Sequence, residues 1–350
     1  LVFEFIWSLL FVILNFSIMI DIITFGSATW DIFLKPNGPE TIKDEKKFIT
    51  GKGICFNLGS KIDVDEIHFS SGGAGTNTAT TFVKQGFKTA YCGRVGGDFA
   101  GKEIISELKK LGIKTNFTYR TSEKPTNTSV VLSGADEDRT IFVYRGASEV
   151  FEKKDIPWNK LKAKWFYIGP LSGKLCDIFE EIVDFAKKNN IKVAVNPGNS
   201  QLSYPPEKLK SILQKVAILL LNHEEASFLT KIPYSNESEI FKKIDQMCPG
   251  ITIMTKGPAG VVASDGKYIY SADVLKVKVV DRTGAGDSFG AGFLSELIKT
   301  NGDIESAMQF GVANSAGCLS KWGAKNGLLE KNTSYERVNV KKEECGENNL

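Results

Sequence analysis

Short apolar runs alternate with amphipathic helical patterns along most of this chain of 350 residues. The runs predicted as strands are short and rich in branched side chains: Ile20–Phe25, Thr89–Cys92, Trp165–Ile168, Lys192–Asn196, Ile218–Leu221, Ile251–Thr255 and Val261–Ser264. The predicted helices carry apolar residues at helical spacing: Thr76–Gln85, Ala100–Leu111, Leu175–Asn189, Glu224–Leu229, Glu237–Met247, Asp287–Thr300 and Ile304–Leu319. This alternation is typical of βαβ units, so we predict an α/β domain whose central sheet is mostly parallel.

Two segments interrupt the alternation. Residues 32–69 and 117–146 are richer in β-branched and aromatic residues, and they contain the turn sequences PNGPE and SGADEDR. In the second segment, SVVLSGADEDRTIFVYRG predicts a hairpin with its turn at Gly134–Asp138. We expect the two segments to pair into a small β-sheet over one end of the main domain.

The two ends of the chain differ from residues 19–330, which we assign to the main domain. Residues 1–18 are apolar, but they are short for a membrane span and lack the basic start and cleavage site of a signal peptide. We expect Met19 to be the natural start and residues 1–18 to be an upstream translation, with a membrane anchor as the alternative. Residues 331–350 are predicted to be a polar, frayed tail in which ERVNV adds an edge strand.

The overall charge argues against a nucleic-acid partner. Basic and acidic residues nearly cancel to a formal net charge of +3, and no dense block of Lys or Arg occurs. The six cysteines are scattered without a C-x-x-C pair, which argues against zinc fingers and disulfide scaffolds and favours a reducing compartment. We therefore expect a cytoplasmic protein with no nucleic-acid or membrane partner.

The segment VVDRTGAGDSFGAGF places several glycines around one carboxylate. It follows the strand-like KVKVV and begins a predicted helix, and a helix N-terminus presents unpaired N–H groups that suit a phosphate. Gly284, Ala285 and Gly286 leave the backbone open to such an anion. The spacing alone leaves Asp287 with two interpretations, a general base for phosphoryl transfer or a helix cap.

Further motifs accompany this segment in the order SSGGAGTNTATTFVKQGFKTAYCGRVGGDFAGKEIISELKKLGI, LLNHEEASFLT and TKGPAG. Together with DRTGAGDSFGAGF they resemble the signatures of the PfkB, or ribokinase-like, carbohydrate kinases, over about Ile20 to about Leu329. The resemblance implies ATP-dependent phosphorylation with Mg²⁺ on a ribokinase-like three-layer α/β/α fold. It also implies that residues 32–69 and 117–146 form a small β-sheet lid, which in this family often doubles as a homodimer interface.

The resemblance implies a role for each motif residue on the acceptor side. Asp287 matches the catalytic base, and the turn Gly284, Ala285 and Gly286 matches the anion hole for the phosphoryl group. The residues matching the sugar-binding turns are Gly26, Asp31, Gly72, Gly73 and Asn77. For Gly72 and Gly73, an ordinary loop before a helix is the alternative interpretation.

On the nucleotide side, Asn222 and Glu225 match the N-x-x-E motif, in which Glu225 holds Mg²⁺ through water. A helix start capped by Asn222 is the alternative. The nucleotide-binding positions are Thr255, Gly257, Gly260 and Asn314, with Gly323 and Ala324 beside the adenine pocket. Lys256 reaches either phosphate or solvent, and Asp281 and Thr283 match a site for a monovalent cation such as K⁺.

The substrate class stays open at this point. Asp31 and Asn77 favour a neutral polyol, so a sugar kinase ranks first and a nucleoside kinase second. Ala74 stands where ribokinases usually carry Lys, whereas NPG at Asn196–Gly198 is similar to a ribokinase segment. A sugar-phosphate kinase ranks third, because Arg139 and Arg145 in the lid either meet a phosphate or lie on a solvated hairpin face. A non-catalytic sugar or nucleotide sensor is the hypothesis from another class.

Overall fold

The computed structural model describes residues 19–37, 40–44, 52–133 and 139–345. The predictions for residues 1–18, for the centre of the PNGPE turn and for the hairpin tip Gly134–Asp138 lie outside the described residues. The strands are β1 Ile20–Phe25, β2 Thr29–Pro36, β3 Glu40–Lys43, β4 Lys52–Cys55, β5 Val64–Gly72, β6 Thr89–Gly96, β7 Lys114–Thr121, β8 Asn127–Ser133, β9 Arg139–Tyr144, β10 Ala163–Ile168, β11 Lys192–Val195, β12 Ile218–Asn222, β13 Ile251–Thr255, β14 Val261–Ser264, β15 Tyr268–Ala272 and β16 Val340–Glu344.

Among these, ten strands form one sheet in the order β16-β15-β14-β13-β12-β11-β10-β1-β6-β7. The seven strands from β13 to β7 in this order run parallel, and β14, β15 and β16 continue the sheet antiparallel. Six of these parallel strands are mostly buried, as their apolar runs require, whereas the edge strand β7 is polar and largely uncovered. In β1, for example, Ile22 packs into one core and Ile23 and Phe25 pack into the other.

Helices cover both faces of this sheet. They are α1 Ala74–Lys84, α2 Phe99–Lys110, α3 Gly173–Asp177, α4 Phe179–Lys188, α5 Asn199–Leu202, α6 Pro206–Leu213, α7 His223–Thr230, α8 Glu237–Asp245, α9 Ala285–Lys299 and α10 Ile304–Leu319, with 3₁₀ turns at Ala147–Val150, Lys153–Asp155, Trp158–Lys160 and Gly257–Ala259. Helices α1, α9 and α10 pack on one face, and α4, α6, α7 and α8 on the other. The predicted three-layer α/β/α class is therefore confirmed.

A second sheet has the strand order β5-β2-β8-β9, and β3 pairs with β4 in a separate hairpin. Its inner face carries the buried side chains of Asp31, Phe33 and Val131. Its outer face carries Phe69 and Phe142, which are more than half exposed. The strands of this small sheet come from the two segments that interrupt the sequence pattern. Their side chains alternate with a period of two, which exposes one face of the sheet and buries the other.

Several details differ from the sequence predictions. Strand β7 belongs to the main sheet, so the start of the segment 117–146 lies outside the small sheet; its Phe117 is buried in the main core. KVKVV is irregular rather than a strand. The edge strand that was predicted over ERVNV is β16, which begins only at Val340 and pairs with β15. The predicted helix Leu175–Asn189 is broken between Asp177 and Phe179. Among the described helices, none has the length and apolar character that crossing a bilayer requires.

Candidate active site

The predicted site residues gather at the carboxyl edge of the parallel sheet. Gly26 follows β1, Asn222 ends β12 and Thr255 ends β13. Asn222 and Thr255 are register partners on adjacent strands, so the N-x-x-E motif lies beside the T-x-G-x-x-G turn. Ligands of open α/β sheets bind in the crevice outside this edge, because the connecting loops converge there.

Helix α9 begins at this edge with the glycine-rich turn. Gly284 precedes the helix with φ of 78°, a left-handed conformation that disfavours any residue with a Cβ, and an added Cβ would also collide with Ala324. Gly286 is exposed, and an added Cβ there would meet nothing within 4 Å among the described residues. The start of α9 is thus open to a ligand beside Gly286, although Ala285 N donates to Arg282 O at 3.4 Å, while Gly284 shapes the turn.

Asp287 lies in the first turn of α9 and is half-buried. Asn77 of α1 donates from Nδ2 to Asp287 Oδ2 at 2.9 Å, across 210 residues of sequence. Burial raises the pKa of Asp287 from 3.8 to about 6, and the bond from Asn77 opposes that rise. The geometry therefore gives Asp287 an oriented carboxylate that is a stronger proton acceptor than an ordinary aspartate.

The other end of the Asn77 amide is free to act on a ligand. Within the described part of the chain, Asn77 Oδ1 is buried without a hydrogen-bond partner. Buried polar atoms are nearly always paired, so an unpaired acceptor needs an explanation. A hydroxyl donor bound beside Asp287 would provide the missing partner.

Asp31 projects from the inner face of the small sheet and is 5% exposed. Burial raises its pKa to about 6, whereas a hydrogen bond to Ser129 and the charge of Lys325 lower it. An added Cβ at Gly72 would overlap the Asp31 carboxylate, so Gly72 makes room for this acid. Asp31 is thus a buried carboxylate close enough to Lys325 and Asp281 for their charges to act on it.

Gly26 and Gly73 have a backbone role at this rim. The chain leaving β1 crosses the start of α1, and Gly75 N donates to Ser27 O at 3.1 Å. An added Cβ at Gly26 would come within 2.8 Å of Gly75 N, and one at Gly73 within 2.5 Å of Ser27 O. The crossing therefore requires both glycines and fixes the loop that carries Asp31.

Asn222 and Glu225 form a capping box at the start of α7. Asn222 Oδ1 accepts from Glu225 N at 2.7 Å, and Glu225 Oε2 accepts from Asn222 N at 2.9 Å. Burial raises the pKa of Glu225 to about 7, and the negative charge of Asp287 adds to the rise. A cation beside Glu225 would favour its ionised form, so this carboxylate fits a water-mediated Mg²⁺ contact.

The predicted nucleotide-binding residues lie in two places. Gly257 opens a 3₁₀ turn after β13 with open space at its Cβ position, and Gly260 closes that turn. Lys256 donates to Glu237 Oε1 at 2.7 Å, so its side chain is engaged by helix α8. Asn314 is fully buried in α10, where Nδ2 donates to Ser288 O at 2.7 Å and Oδ1 accepts from Leu329 N at 2.9 Å.

The donor and the acceptor of the Asn314 amide are thus both hydrogen-bonded within the protein. Its contribution to a nucleotide pocket would be indirect, through the position of the segment near Leu329. Ala324 packs against Gly284, and Gly323 N donates to Asp281 Oδ2 at 3.0 Å. This segment therefore also supports the turn Gly284–Gly286, which we call the phosphate turn.

Asp281 and Thr283 are joined just before α9. Asp281 Oδ1 accepts from Thr283 N at 2.9 Å and from Thr283 Oγ1 at 2.8 Å. Arg139 Nη1, from strand β9 of the small sheet, also donates to Asp281 Oδ1 at 2.9 Å. The two residues assigned to a monovalent cation are therefore in contact with a guanidinium.

Sequence reasoning missed two buried polar groups near the site. Lys325 is 5% exposed and donates from Nζ to Ser71 Oγ, with Glu107 Oε2 3.5 Å away. Tyr167 is buried where Gly290 leaves room for its ring, and burial raises its hydroxyl pKa, as do the charges of Asp287 and Glu225. A lysine in the sequence WGAKNG and a tyrosine in an apolar strand give no signal of either contact.

The chain is similar to known kinases. The nucleoside kinase of Methanothermobacter thermautotrophicus is 26% identical over 275 residues, 76% of this chain and 84% of that protein. The ribokinase of Haemophilus influenzae is 28% identical over 284 residues, 76% of this chain and 86% of that protein.

A solved structure has the same fold. The crystal structure of a putative ribokinase II from E. coli in complex with ATP and Mg²⁺ matches with a TM-score of 0.73 and 19% identity, covering 89% of this chain and 96% of that one. Residues 49–332 match the profile of the pfkB family carbohydrate kinases, which is most of the chain. The chain therefore belongs to the pfkB family of carbohydrate kinases.

Proposed function

We propose that this protein transfers the γ-phosphoryl group of ATP to a hydroxyl of a small sugar, with Asp287 as the general base. Members of its family are phosphotransferases with hydroxyl acceptors, and this chain is one of them. The finer assignment rests on one observation: Asn77 donates to Asp287 with one end of its amide and leaves the other end unpaired in the described structure. One side chain thus links the sugar-binding motif to the phosphate turn.

In the proposed reaction, one phosphoryl group passes to the acceptor and one proton leaves it. The acceptor oxygen bonds to the γ-phosphorus, the bond from that phosphorus to the bridging oxygen breaks, and the acceptor proton passes to Asp287. The N–H groups at Gly284–Gly286 would stabilise the charge on the transferring group. Ile141 and Val143 on the inner face of the small sheet are exposed, and as part of a lid they would exclude water.

Mg²⁺ supplies charge neutralisation for the phosphates in this class of reaction. Glu225 is the residue we assign to it, through water, and Asn222 fixes the start of the helix that carries Glu225. Among the described side chains, no group of three or more His, Cys, Asp or Glu is placed to hold a metal. A Mg²⁺ ion with few direct protein ligands fits its preference for retained waters.

A neutral acceptor fits the site better than a sugar phosphate. Asp31 and Asn77 offer hydrogen-bonding groups suited to hydroxyls, and a nearby carboxylate would repel a phosphate. Arg139 is engaged by Asp281, and Arg145 is exposed. The relative from Methanothermobacter is named a nucleoside kinase, so the ribose of a nucleoside is the second candidate acceptor.

An acceptor panel tests this proposal. We expect ADP release from Mg²⁺-ATP with ribose, another pentose or hexose, or a nucleoside, and no release above the acceptor-free rate with fructose 6-phosphate. The panel would include fructose, 2-keto-3-deoxygluconate, adenosine, cytidine and inosine. Nucleotide binding without turnover on any acceptor would favour the sensor hypothesis instead.

We also propose that two copies of the chain associate through the outer face of the small sheet. Ile67, Phe69, Phe142 and Tyr144 lie on this face and are 53%, 58%, 59% and 47% exposed. A contiguous exposed apolar patch marks an interaction surface in a folded protein. A second copy of the same sheet presents the same apolar side chains, which makes the contact self-complementary.

Light scattering after size exclusion tests this association. We expect a mass near twice the 38.5 kDa of one chain, and a single-chain mass for the double variant Phe69→Glu, Phe142→Glu. Phe228→Glu is the matched control, since Phe228 is 52% exposed on helix α7, outside the small sheet. A single-chain mass for the unaltered protein would refute the dimer.

A further inference from the structure

Arg139 joins the small sheet to the phosphate turn. It is the first residue of β9, and its side chain crosses to the segment that precedes α9. Arg139 Nη1 donates to Asp281 Oδ1 at 2.9 Å and to Thr283 Oγ1 at 3.0 Å. The contact spans more than 140 residues of sequence, and it connects the proposed lid to the proposed anion hole.

The Asp281 carboxylate is well supplied with donors. Three of them reach Oδ1, namely Thr283 N, Thr283 Oγ1 and Arg139 Nη1, and Gly323 N reaches Oδ2 at 3.0 Å. The Asp281 side chain is 3% exposed, whereas that of Arg139 is 30% exposed. A buried carboxylate needs a compensating charge, and the guanidinium already supplies one.

These contacts disagree with the monovalent cation expected from the sequence. The Asp281 carboxylate and the Thr283 hydroxyl are the side-chain oxygens that these residues could offer such an ion, and both accept from Arg139. A second cation at the same oxygens would lie against the guanidinium and be repelled. The residues present therefore do not fit K⁺ while Arg139 is in place.

We propose that the guanidinium of Arg139 takes the place of a bound cation beside the turn Gly284–Gly286, and that the small sheet positions it there. This inference rests on the proposed kinase function. Without Arg139, the negative charge of Asp281 beside the turn would oppose an incoming phosphoryl group. The Arg139 charge offsets that of Asp281 only when β9 lies over the site. Lid closure and phosphate binding are therefore coupled. K⁺ is then unnecessary for activity.

The kinetic test compares Arg139→Ala with the unaltered protein in KCl and in tetramethylammonium chloride at equal ionic strength. The unaltered protein should turn over its acceptor equally in both salts. Arg139→Ala should lose about tenfold or more of its rate in tetramethylammonium, equivalent to ~1.4 kcal/mol of barrier, and regain it in KCl. Arg145→Ala is the matched control, because Arg145 is exposed just beyond the other end of β9.

Melting temperatures provide a second measurement that needs no turnover. KCl should raise the melting temperature of Arg139→Ala over its value in tetramethylammonium chloride, and should leave that of the unaltered protein unchanged. Activation of the unaltered protein by K⁺, or a K⁺ effect on melting in both proteins or in neither, would overturn the assignment. A loss of rate in Arg139→Ala that K⁺ does not restore would also count against it.

The two measurements separate this inference from the proposed function. If no acceptor is phosphorylated, the kinase proposal fails, and the melting series alone decides whether Arg139 replaces a cation. If an acceptor is phosphorylated but K⁺ activates the unaltered protein, the kinase proposal stands and the inference about Arg139 fails.

Discussion

Asp287→Asn is expected to lower kcat by about 10²–10⁴-fold, the usual contribution of a general base. Asparagine keeps the size of the side chain but cannot take the proton of the acceptor hydroxyl. The fold should survive, because the change removes a half-buried charge and leaves an oxygen that can accept from Asn77. Initial rates with the preferred acceptor, together with far-UV circular dichroism, would measure both outcomes.

The pH dependence gives the same assignment an independent test. Asp287 accepts a proton only when ionised, so kcat/KM should fall as the pH drops through about 6, the pKa to which burial raises this group. Asp31 has a pKa of about 6 and Glu225 one of about 7, so the decline should begin near pH 7 and be steeper than one ionisation gives. An ordinary aspartate would keep the enzyme active down to its usual pKa of about 4.

The control for Asp287→Asn is Asp177→Asn, which removes an exposed carboxylate in helix α3. It should leave the rate and its pH dependence unchanged. The helix begins after Gly284 and Asp287 makes no capping bond, so the cap alternative is wrong. A rate for Asp287→Asn within a few fold of the unaltered protein would show that Asp287 is not the base and serves only as the partner of Asn77. A flat pH profile between 5 and 7 would argue the same way.

The sequence predicted the central strands of the main sheet well because these strands are mostly buried, whereas β7 and β15 were not predicted. Ile20–Phe25, Ile251–Thr255 and Val261–Ser264 agree with the observed strands at both ends. The irregular KVKVV was predicted as strand-like because alternation alone cannot show whether a partner strand is available. The edge strand predicted in the tail does form, but as β16 over Val340–Glu344 and not over ERVNV.

The site could be predicted only as far as local motifs reach. The order of the motifs placed Asn77 and Asp287 in one site, but their bond across 210 residues follows from the tertiary fold. The sequence predicts Arg139 as either a phosphate ligand or an exposed residue, whereas in the structure it forms an ion pair with the buried carboxylate of Asp281. Ion pairs between distant segments leave no periodic signal, so neither this pair nor the burial of Lys325 could be read from the sequence.

The sequence gives the glycines of the phosphate turn one common role, which is to leave the backbone open to an anion. The structure gives Gly284 and Gly286 different roles. Gly284 has φ of 78° and abuts Ala324, so its lack of a side chain is a requirement of the fold. Gly286 lies at a helical, exposed position with open space around it, so nothing in the described part of the chain requires glycine there. A ligand at the helix N-terminus would explain it.

Substitution at these two positions should therefore give opposite results. Gly286→Ala should keep or slightly raise stability, by up to about 0.5–1 kcal/mol, because alanine favours a helix over glycine. Gly286→Val should nonetheless lower kcat by ~10²–10³-fold, the loss seen when an anion-hole contact is removed, with Gly286→Ala intermediate. Gly284→Ala should instead destabilise the fold by roughly 1–3 kcal/mol, because it imposes a strained backbone.

Urea unfolding and acceptor-dependent ADP release, measured on the same preparations, would distinguish these effects. The expected pattern is loss of activity without loss of stability at Gly286, and loss of stability at Gly284. If Gly286→Val were as active as the unaltered protein, no phosphoryl group would pass over this N-terminus, and the anion hole would have to lie elsewhere. If Gly286→Ala were as unstable as Gly284→Ala, both glycines would serve the fold, and the open space at Gly286 would carry no argument for a ligand.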